Sequence, residues 1–423
     1  MTVAVFVDVK GTTVFTGTLY GHVRGAGASA TFVYDQDYLA HPHAYPLDPR
    51  LPLLSGPHQT DVGQALFGAM TDSAPDRWGR RLMQRYARST HSHPGDRTLT
   101  DLDYLIGVRD DLRQGALRYA PDRSGEKLAS DTAPVPRSTH LAHLLDLAQR
   151  SQNDTLSERE LRLLLDSSSS LGGARPKVHT RSASGALAIA KFPSDDTDTW
   201  NVSSWEYVTA TLAKQAGIRV PKVELHHVGG RSVLLTPRFD RGDTGARIGY
   251  WSAMTALEAN DGDHGSYNDI ATFIETNALT ATADLRELFT RIVFDLAVTN
   301  TDNHLRNHGF LREGPGWSLS PMFDVNPNPD GGRFATGLAA RDGSDMTLSA
   351  LLEAASPIFR LDASAATAIF ARVVEAVGHW REHAIRAELP SAEIERMAAA
   401  FDTPRIREVQ TYLANRASAA GRS

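Results

Sequence analysis

The chain has 423 residues, 41% of them apolar and 22% charged, with a net charge of −6 and no cysteine. That length allows two or three domain-sized units. The charge argues against a nucleic-acid binder with a generally basic surface, and the missing cysteines exclude disulfides and thiolate chemistry. No window approaches 18 uninterrupted apolar residues, and the start "MTVAVFVDVKGTTVFTGTLYGH" lacks a basic segment leading into an apolar run. A cytoplasmic protein with no membrane span and no signal peptide is therefore expected.

The first elements read as β-structure. "TVAVFVDV" and "TVFTGTLYGH" are β-branched and aromatic runs separated by Lys10-Gly11, a short hairpin signal, and "ATFVYDQDYLA" continues in the same style. A proline- and histidine-rich segment follows, from His41 to His58. "VGQALFGAMTDSAPDRWGRRLMQRYA" then turns helical, with Leu66, Phe67, Met70, Trp78, Leu82 and Met83 at core positions. The stretch of small and breaker residues from Gly125 to Thr139 marks a boundary, so residues 1–125 form a β-rich N-terminal domain.

Residues 126–240 form a second region. "HLAHLLDLAQRS" places Leu141, Leu144, Leu145 and Ala148 at helical spacing, and "SERELRLLLDSS" is a second amphipathic helix. "PKVHT" and "ALAIAKF" flank the turn "RSASG". The helix "SSWEYVTATLAKQAG" stops at Gly217 with Pro221 beyond, and "KVELHHVGGRSVLLTP" is a hairpin turning at Gly229-Gly230. Residues 241–415 are mostly helical, most clearly in "DLRELFTRIVFDLAVTN" and "ASAATAIFARVVEAVGHWREHAI", and residues 416–423 are expected to be a frayed tail.

Several residues suggest chemistry. "LDSSSSLGGARPKV", from Leu165 to Val178, is either a flexible linker or a glycine-lined phosphate cradle; it does not match the Walker pattern, and it joins a helix to a hairpin. In "ALAIAKF" strand alternation puts Leu187, Ile189 and Lys191 on one face, where Lys191 must reach solvent or a carboxylate. Glu206, fifteen positions on, either pairs with Lys191 or closes a capping box on Ser203. "VTNTDNHLRNHGF" breaks a helix carrying Leu288, Ile292 and Leu296, with Asn307 five positions after Asp302, and "WSLSPMFDVNP" adds Asp324. Phosphoryl transfer needs a carboxylate beside the attacking hydroxyl and hard oxygen ligands for Mg²⁺. The D-x-x-x-x-N spacing, and the order glycine loop, lysine, glutamate, Asp–Asn pair, second aspartate, match the catalytic parts of a kinase. His41, His43, His58, His91 and His93 suggest zinc by count but lack a third well-placed ligand and read as solvated loop residues. No Gly-x-Ser-x-Gly elbow is present, so a hydrolase triad has no anchor.

The chain resembles the HipA family of serine/threonine kinase toxins. "SSSSLGGARPK", "AIAKFP", "NVSSWEYVTATLAKQAGI", "LLTPRFDR", "NTDNHLRNHGF" and "LSPMFDVNP" carry the likeness, joined by "GTLYGH", "FVYDQDYLA", "YPLDPRLPL" and "DRWGRRLM" nearer the N-terminus, so that it extends to roughly residue 385. The resemblance implies an α+β, protein-kinase-like bilobal fold, with a β-rich N-terminal domain and a mostly helical C-lobe, using ATP and Mg²⁺. It makes Asp302, in a catalytic loop at 300–307, the catalytic base, and Asn307 and Asp324 the metal ligands. Lys191 would bind phosphates and Glu206 would orient it. Ser170, Leu171, Gly172, Gly173, Ala174 and Lys177, in a glycine loop at 167–177, would cradle the nucleotide, with His304 close by. A hinge at 236–239 would meet adenine through Pro237, Arg238 and Phe239, although Pro237 has no N–H to offer, and Asp240 would reach ribose. Ser170 matches a serine that the family autophosphorylates, with Ser168 and Ser169 as alternatives. The implied partners are a small helix-turn-helix, HipB-like antitoxin, with DNA met only through it, and a protein substrate such as an aminoacyl-tRNA synthetase.

The chain departs from the family at Leu305-Arg306, where Gly-Lys is frequent, and at Pro176 after the glycines. Two other readings stay open. One is a small-molecule phosphotransferase, suggested by the acidic loop "EANDGDHGSYND" from Glu258 to Asp269; the other is a non-catalytic, nucleotide-binding co-repressor.

Overall fold

The structure is a computed structural model that describes residues 1–24, 27–90, 98–126, 134–153, 155–168, 175–195, 197–260, 262–339 and 343–420. The chain divides into two compact units. The first comprises Met1–Thr197, His227–Glu258 and Leu311–Pro315; the second comprises Asp198–His226, Ala259–Phe310 and Gly316–Ser423. The division differs from the boundaries expected at 125 and 240, because both β-rich regions fall in the first unit.

That unit opens with a five-stranded antiparallel sheet. Its strands are β1 (Thr2–Val9), β2 (Thr12–Arg24), β3 (Gly27–Tyr34), β4 (Pro57–Gln59) and β5 (Leu117–Ala120), in the order β4-β3-β2-β1-β5. Lys10 and Gly11 both have positive φ, 51° and 81°, which suits the two-residue turn of a twisted hairpin. Beside the register shift between Val5 and Phe6, a side chain at Gly17 would meet the Val33 carbonyl oxygen at 2.2 Å, so only glycine fits there. The helical stretch expected after Val62 is two helices, Gly68–Asp72 and Arg77–Thr90. Pro75 lies in the gap and supplies no N–H to continue a helix.

The second sheet of this unit sets β6 (Lys177–Arg181) against β7 (Leu187–Lys191) and β7 against a strand at Arg231–Pro237, all antiparallel. Val178, Ala190, Val233 and Leu235 pack with Leu144, Leu145, Ala148, Leu161 and Leu164 in one core. Those leucines lie on the helices Leu141–Gln152 and Glu158–Ser167, whose apolar stripes therefore cover one face of the sheet. Alternation puts Ile189 and Lys191 on the other face.

The second unit is mainly helical. It holds Val202–Gln215, Tyr267–Asn277, Ala281–Val298, Leu348–Ala355, Ala363–Gly378, Trp380–Arg386, Ser391–Phe401 and Pro404–Ala420. The last helix continues through residues expected to fray. The Val202–Gln215 helix, expected to belong with the β-rich second region, sits here for a packing reason. Trp205, fully buried, has ring centroids 6.1 Å from Trp380 and 6.0 Å from Phe401, and its indole N–H donates to Glu393 at 2.8 Å. Burying a tryptophan removes roughly 150–250 Å² from water, on the order of 4–6 kcal/mol before entropy is counted. No described helix is long and apolar enough to cross a membrane.

Candidate active site

The candidate residues of the second unit cluster around the end of one helix. Ala281–Val298 stops at Thr299, a β-branched residue in the left-handed conformation, φ 53° and ψ 45°. Such a backbone costs about 1–3 kcal/mol and persists only when its surroundings hold it. Here the Thr299 hydroxyl donates to the Ala400 carbonyl at 2.7 Å. The chain then enters residues 300–307. Asp302 is exposed, and its carbonyl accepts from the His304 N–H at 2.9 Å and from Asn307 Nδ2 at 3.0 Å. His304 is also exposed, whereas Asn307 is buried at the end of a short 3-10 turn, Leu305–Asn307. Leucine is accommodated at 305 because it packs over Gly265, where any side chain would lie 2.7 Å from it.

The segment carrying Asp324 is tied to this loop at both ends. Ser320 N–H donates to Gly309 O at 2.8 Å. Further along, Asn328 N–H donates to Thr299 O at 3.2 Å and Asn328 Nδ2 to Thr301 Oγ1 at 2.7 Å. Asn307 and Asp324 lie between these cross-links. Asp324 is half-buried with φ +58°, a second strained non-glycine position. The helix bearing Glu206 is fastened there too, since the Thr209 hydroxyl donates to Val325 O at 2.5 Å. Glu206 is buried and is not a helix cap. Asn201 is the cap, accepting from Ser204 N–H at 3.1 Å, so Glu206 lies too deep in the helix for the capping box expected on Ser203.

The donor set suits a small hard cation. Asn307 commits its Nδ2 to the loop, which leaves its carbonyl oxygen as the available ligand atom. Asn326, whose Nδ2 lies 3.4 Å from Asp324 Oδ1, has a buried Oδ1 with no partner among the described residues. A carboxylate with amide oxygens fits Mg²⁺, which is usually held by one or two carboxylates plus phosphate oxygens. No group of three or more His, Cys, Asp or Glu among the described residues is arranged to hold a metal by itself.

Asp295, Asn303 and Tyr267 were not singled out from the sequence. Asp295 is fully buried and accepts from Asn300 Nδ2, Asn303 Nδ2 and the Tyr267 hydroxyl. Burial pushes its carboxyl up to about 7. The signal was present as a lone aspartate among the apolar residues of "RIVFDLAV".

In the first unit Lys191 is half-buried, paired in register with Lys177 and Leu234. Lys177, expected in the phosphate cradle, is buried with its ammonium 3.1 Å from Asp76. The hinge residues are also committed within their own unit. The Arg238 N–H donates to Leu187 O at 3.0 Å, continuing the β-ladder. The Arg238 guanidinium binds Asp240 and His179, and donates to Leu112 O at 2.9 Å. Asp240, itself buried, accepts from Arg238, from the half-buried Arg241 at 2.9 Å and from the Gly115 N–H at 2.7 Å. Its carboxylate is thus directed at the Arg109–Gly115 loop and not at a ribose. Burial would raise the Asp240 carboxyl, but the two guanidinium groups hold it well below the usual carboxylate range. Phe239 lies 6.4 Å from the Tyr250 ring, and Pro237 ends the strand opposite Ala188.

Ser169, Ser170, Leu171, Gly172, Gly173, Ala174, His91 and His93 lie outside the described residues. Ser168 is buried, and its hydroxyl donates to Leu165 O at 2.9 Å. In the acidic loop, Asp269 caps a helix with Ser266 and Asp263 accepts from Asn260 N–H, both local structural roles.

The mixed α+β fold expected from the sequence is the one found, and comparison with known proteins identifies its family. Residues 12–117 match the HipA N-terminal domain and residues 169–381 the HipA-like C-terminal domain. The chain belongs to the HipA family. It shares its fold with HipA of Shewanella oneidensis MR-1, solved in a toxin–antitoxin complex with HipB and operator DNA: TM-score 0.66, 16% identity, 97% of each chain covered. A Haemophilus influenzae protein described as "Putative kinase" is 28% identical over 165 residues, 34% of this chain; the chain spans about half of that relative, 48%. The Helicobacter pylori proinflammatory kinase CtkA matches at TM-score 0.40 and 13% identity, over 57% of this chain and 95% of that one.

Proposed function

We propose that the chain is an ATP- and magnesium-dependent serine/threonine protein kinase, the toxin of a toxin–antitoxin pair. The observation that carries the reading is the 299–307 loop. It is strained at its entry, fixed by buried hydrogen bonds, carries the exposed Asp302 together with Asn307, and is cross-linked to the segment that carries Asp324. Catalysis of phosphoryl transfer is mostly positioning and charge stabilisation, so a rigid loop with one open carboxylate suits it.

In this scheme Asp302 orients the acceptor hydroxyl and takes its proton as the oxygen attacks phosphorus. Asn307 and Asp324 would hold magnesium, which when bound neutralises charge on the phosphate oxygens. Lys191 is assigned to the phosphates and Glu206 to a positioning role. Ser170 is the proposed self-modification site; a phosphate there would compete with ATP for the same N–H groups. The partner is a small helix-turn-helix antitoxin, in keeping with the HipB and operator DNA in the Shewanella complex. The substrate is a translation component such as an aminoacyl-tRNA synthetase, met in the cytoplasm.

The test is incubation with labelled ATP and Mg²⁺, alone and with cell lysate, for the wild type and Asp302→Asn. Losing a general base costs about 10²–10⁴ in rate. An exposed Asp302 should leave the melting temperature unchanged. Absence of any transfer by the wild type, to itself or to a lysate protein, would end the protein-kinase reading. Transfer confined to small-molecule hydroxyls would replace it with the phosphotransferase.

A further inference from the structure

The helix that delivers the 299–307 loop buries a carboxylate which the scheme above does not use. Asp295 is 0% exposed. Its Oδ1 accepts from Asn300 Nδ2 at 2.8 Å; its Oδ2 accepts from Asn303 Nδ2 at 2.5 Å and from the Tyr267 hydroxyl at 3.1 Å. Its main-chain carbonyl accepts from the Asn300 N–H at 3.0 Å. Asn300 and Asn303 stand on either side of Thr301 and Asp302. One carboxylate therefore grips the loop on both flanks of the residue whose side chain faces solvent.

We infer that Asp295 is a positioning residue, which holds the Asn300–Asn303 turn and through it sets the direction of the Asp302 carboxylate. Its consequence for catalysis rests on the kinase reading; its hold on the loop does not. The chemistry requires a carboxylate. Three donors converge on two acceptor oxygens, and an amide at 295 would turn its own N–H groups toward one of them. The same turn is fixed from its far side, where the Thr336 hydroxyl donates to Asn303 O at 2.7 Å and Ala335 N–H to Thr301 O at 2.8 Å.

The groups facing Asp295 are three donors and one more distant guanidinium. They are the Tyr267 hydroxyl, the two asparagine amides and, one turn back, the Arg291 guanidinium, which is itself bound to Glu287 and Ser320 O. His308, whose ring meets Tyr267 at 5.5 Å, is kept neutral, burial pushing it down to about 3. No cation touches the Asp295 carboxylate among the described contacts, and burial pushes it up to about 7.

The experiment is hydrogen exchange of the full chain, wild type and Asp295→Asn, followed in peptides covering 299–307. At pH 8 the variant should exchange there about tenfold faster or more, an opening equilibrium shifted by that factor. In the transfer assay the variant's kcat should fall about tenfold or more with ATP KM within about threefold, the pattern of a lost transition-state arrangement. Should Asp295→Asn fail to fold, Asn303→Ala removes one strand of the grip and should raise loop exchange by itself. Unchanged exchange in 299–307 overturns the inference. Altered exchange in a protein that transfers no phosphate upholds it and sinks the kinase reading instead.

Discussion

Replacing Asp240 by alanine tests whether this residue belongs to the nucleotide site or to the framework. Its carboxylate is 2% exposed and meets Arg238, Arg241 and the Gly115 N–H. Both arginines also donate to the carbonyl of Arg113, so the ion cluster clasps the Arg109–Gly115 loop. Removing the carboxylate strands two guanidinium groups in a place where burial already pushes Arg241 down to about 10. Breaking a buried pair by deleting one partner costs about 3–5 kcal/mol. The orphaned Gly115 N–H belongs to the same network, so its penalty of about 1–3 kcal/mol does not simply add. For a unit of about 200 residues this corresponds to a melting temperature lowered by roughly 6–20 °C. The folded carboxyl is depressed, so its stabilisation is present above the unfolded value of about 4 and is lost as pH falls through the folded one. The gap between wild type and variant should therefore hold from pH 8 down to about 4 and close only below that. Thermal and urea unfolding by circular dichroism, without nucleotide, reads both. A loss under about 1 kcal/mol, together with a raised KM for ATP, would refute the framework role and restore the ribose contact.

Other outcomes follow from the same geometry. Lys177→Met should destabilise by about 3–5 kcal/mol by leaving Asp76 buried without its ammonium, with ATP KM unchanged; a KM raised about tenfold at unchanged stability would return Lys177 to the phosphate cradle. His308 is held neutral at about 3 by burial, then by Arg291 and His304. The unfolded chain takes up a proton below about 6.5, so stability due to His308 is full above that pH and lost progressively toward 3. At pH 4 the loss is about 3 kcal/mol, and His308→Gln should shrink the wild-type difference in unfolding free energy between pH 8 and 4 by that amount. An unchanged difference would mean that the imidazole is protonated in the folded protein.

Local signals were legible wherever a few neighbouring residues decide the outcome. Lys10-Gly11 and Gly229-Gly230 turn hairpins because both members of each pair take positive φ. Leu144, Leu145, Ala148, Leu161 and Leu164 pack as their helical spacing predicts. The Asp302–Asn307 loop follows its apolar helix as read, and Asn307 bonds back to residue 302 across that spacing. Illegible were the partners of charged groups. Lys177 lies beside a glycine loop in sequence, yet pairs with Asp76, about a hundred positions earlier. Asp240 follows a hinge-like strand, yet binds Gly115, 125 positions away. Asp295 sits in an apolar run, and its role emerges only when Tyr267 and two asparagines converge on it.

Periodicity and turn chemistry act over three or four residues, so the amino-acid order alone determined the strands, most helices and the spacing of the loop donors. Which carboxylate faces which cation, which helix accompanies which unit, and which acid lies exposed were decided only by tertiary packing. The physical reason is that burial and pairing set the state of a charged group, and both depend on residues far away along the chain.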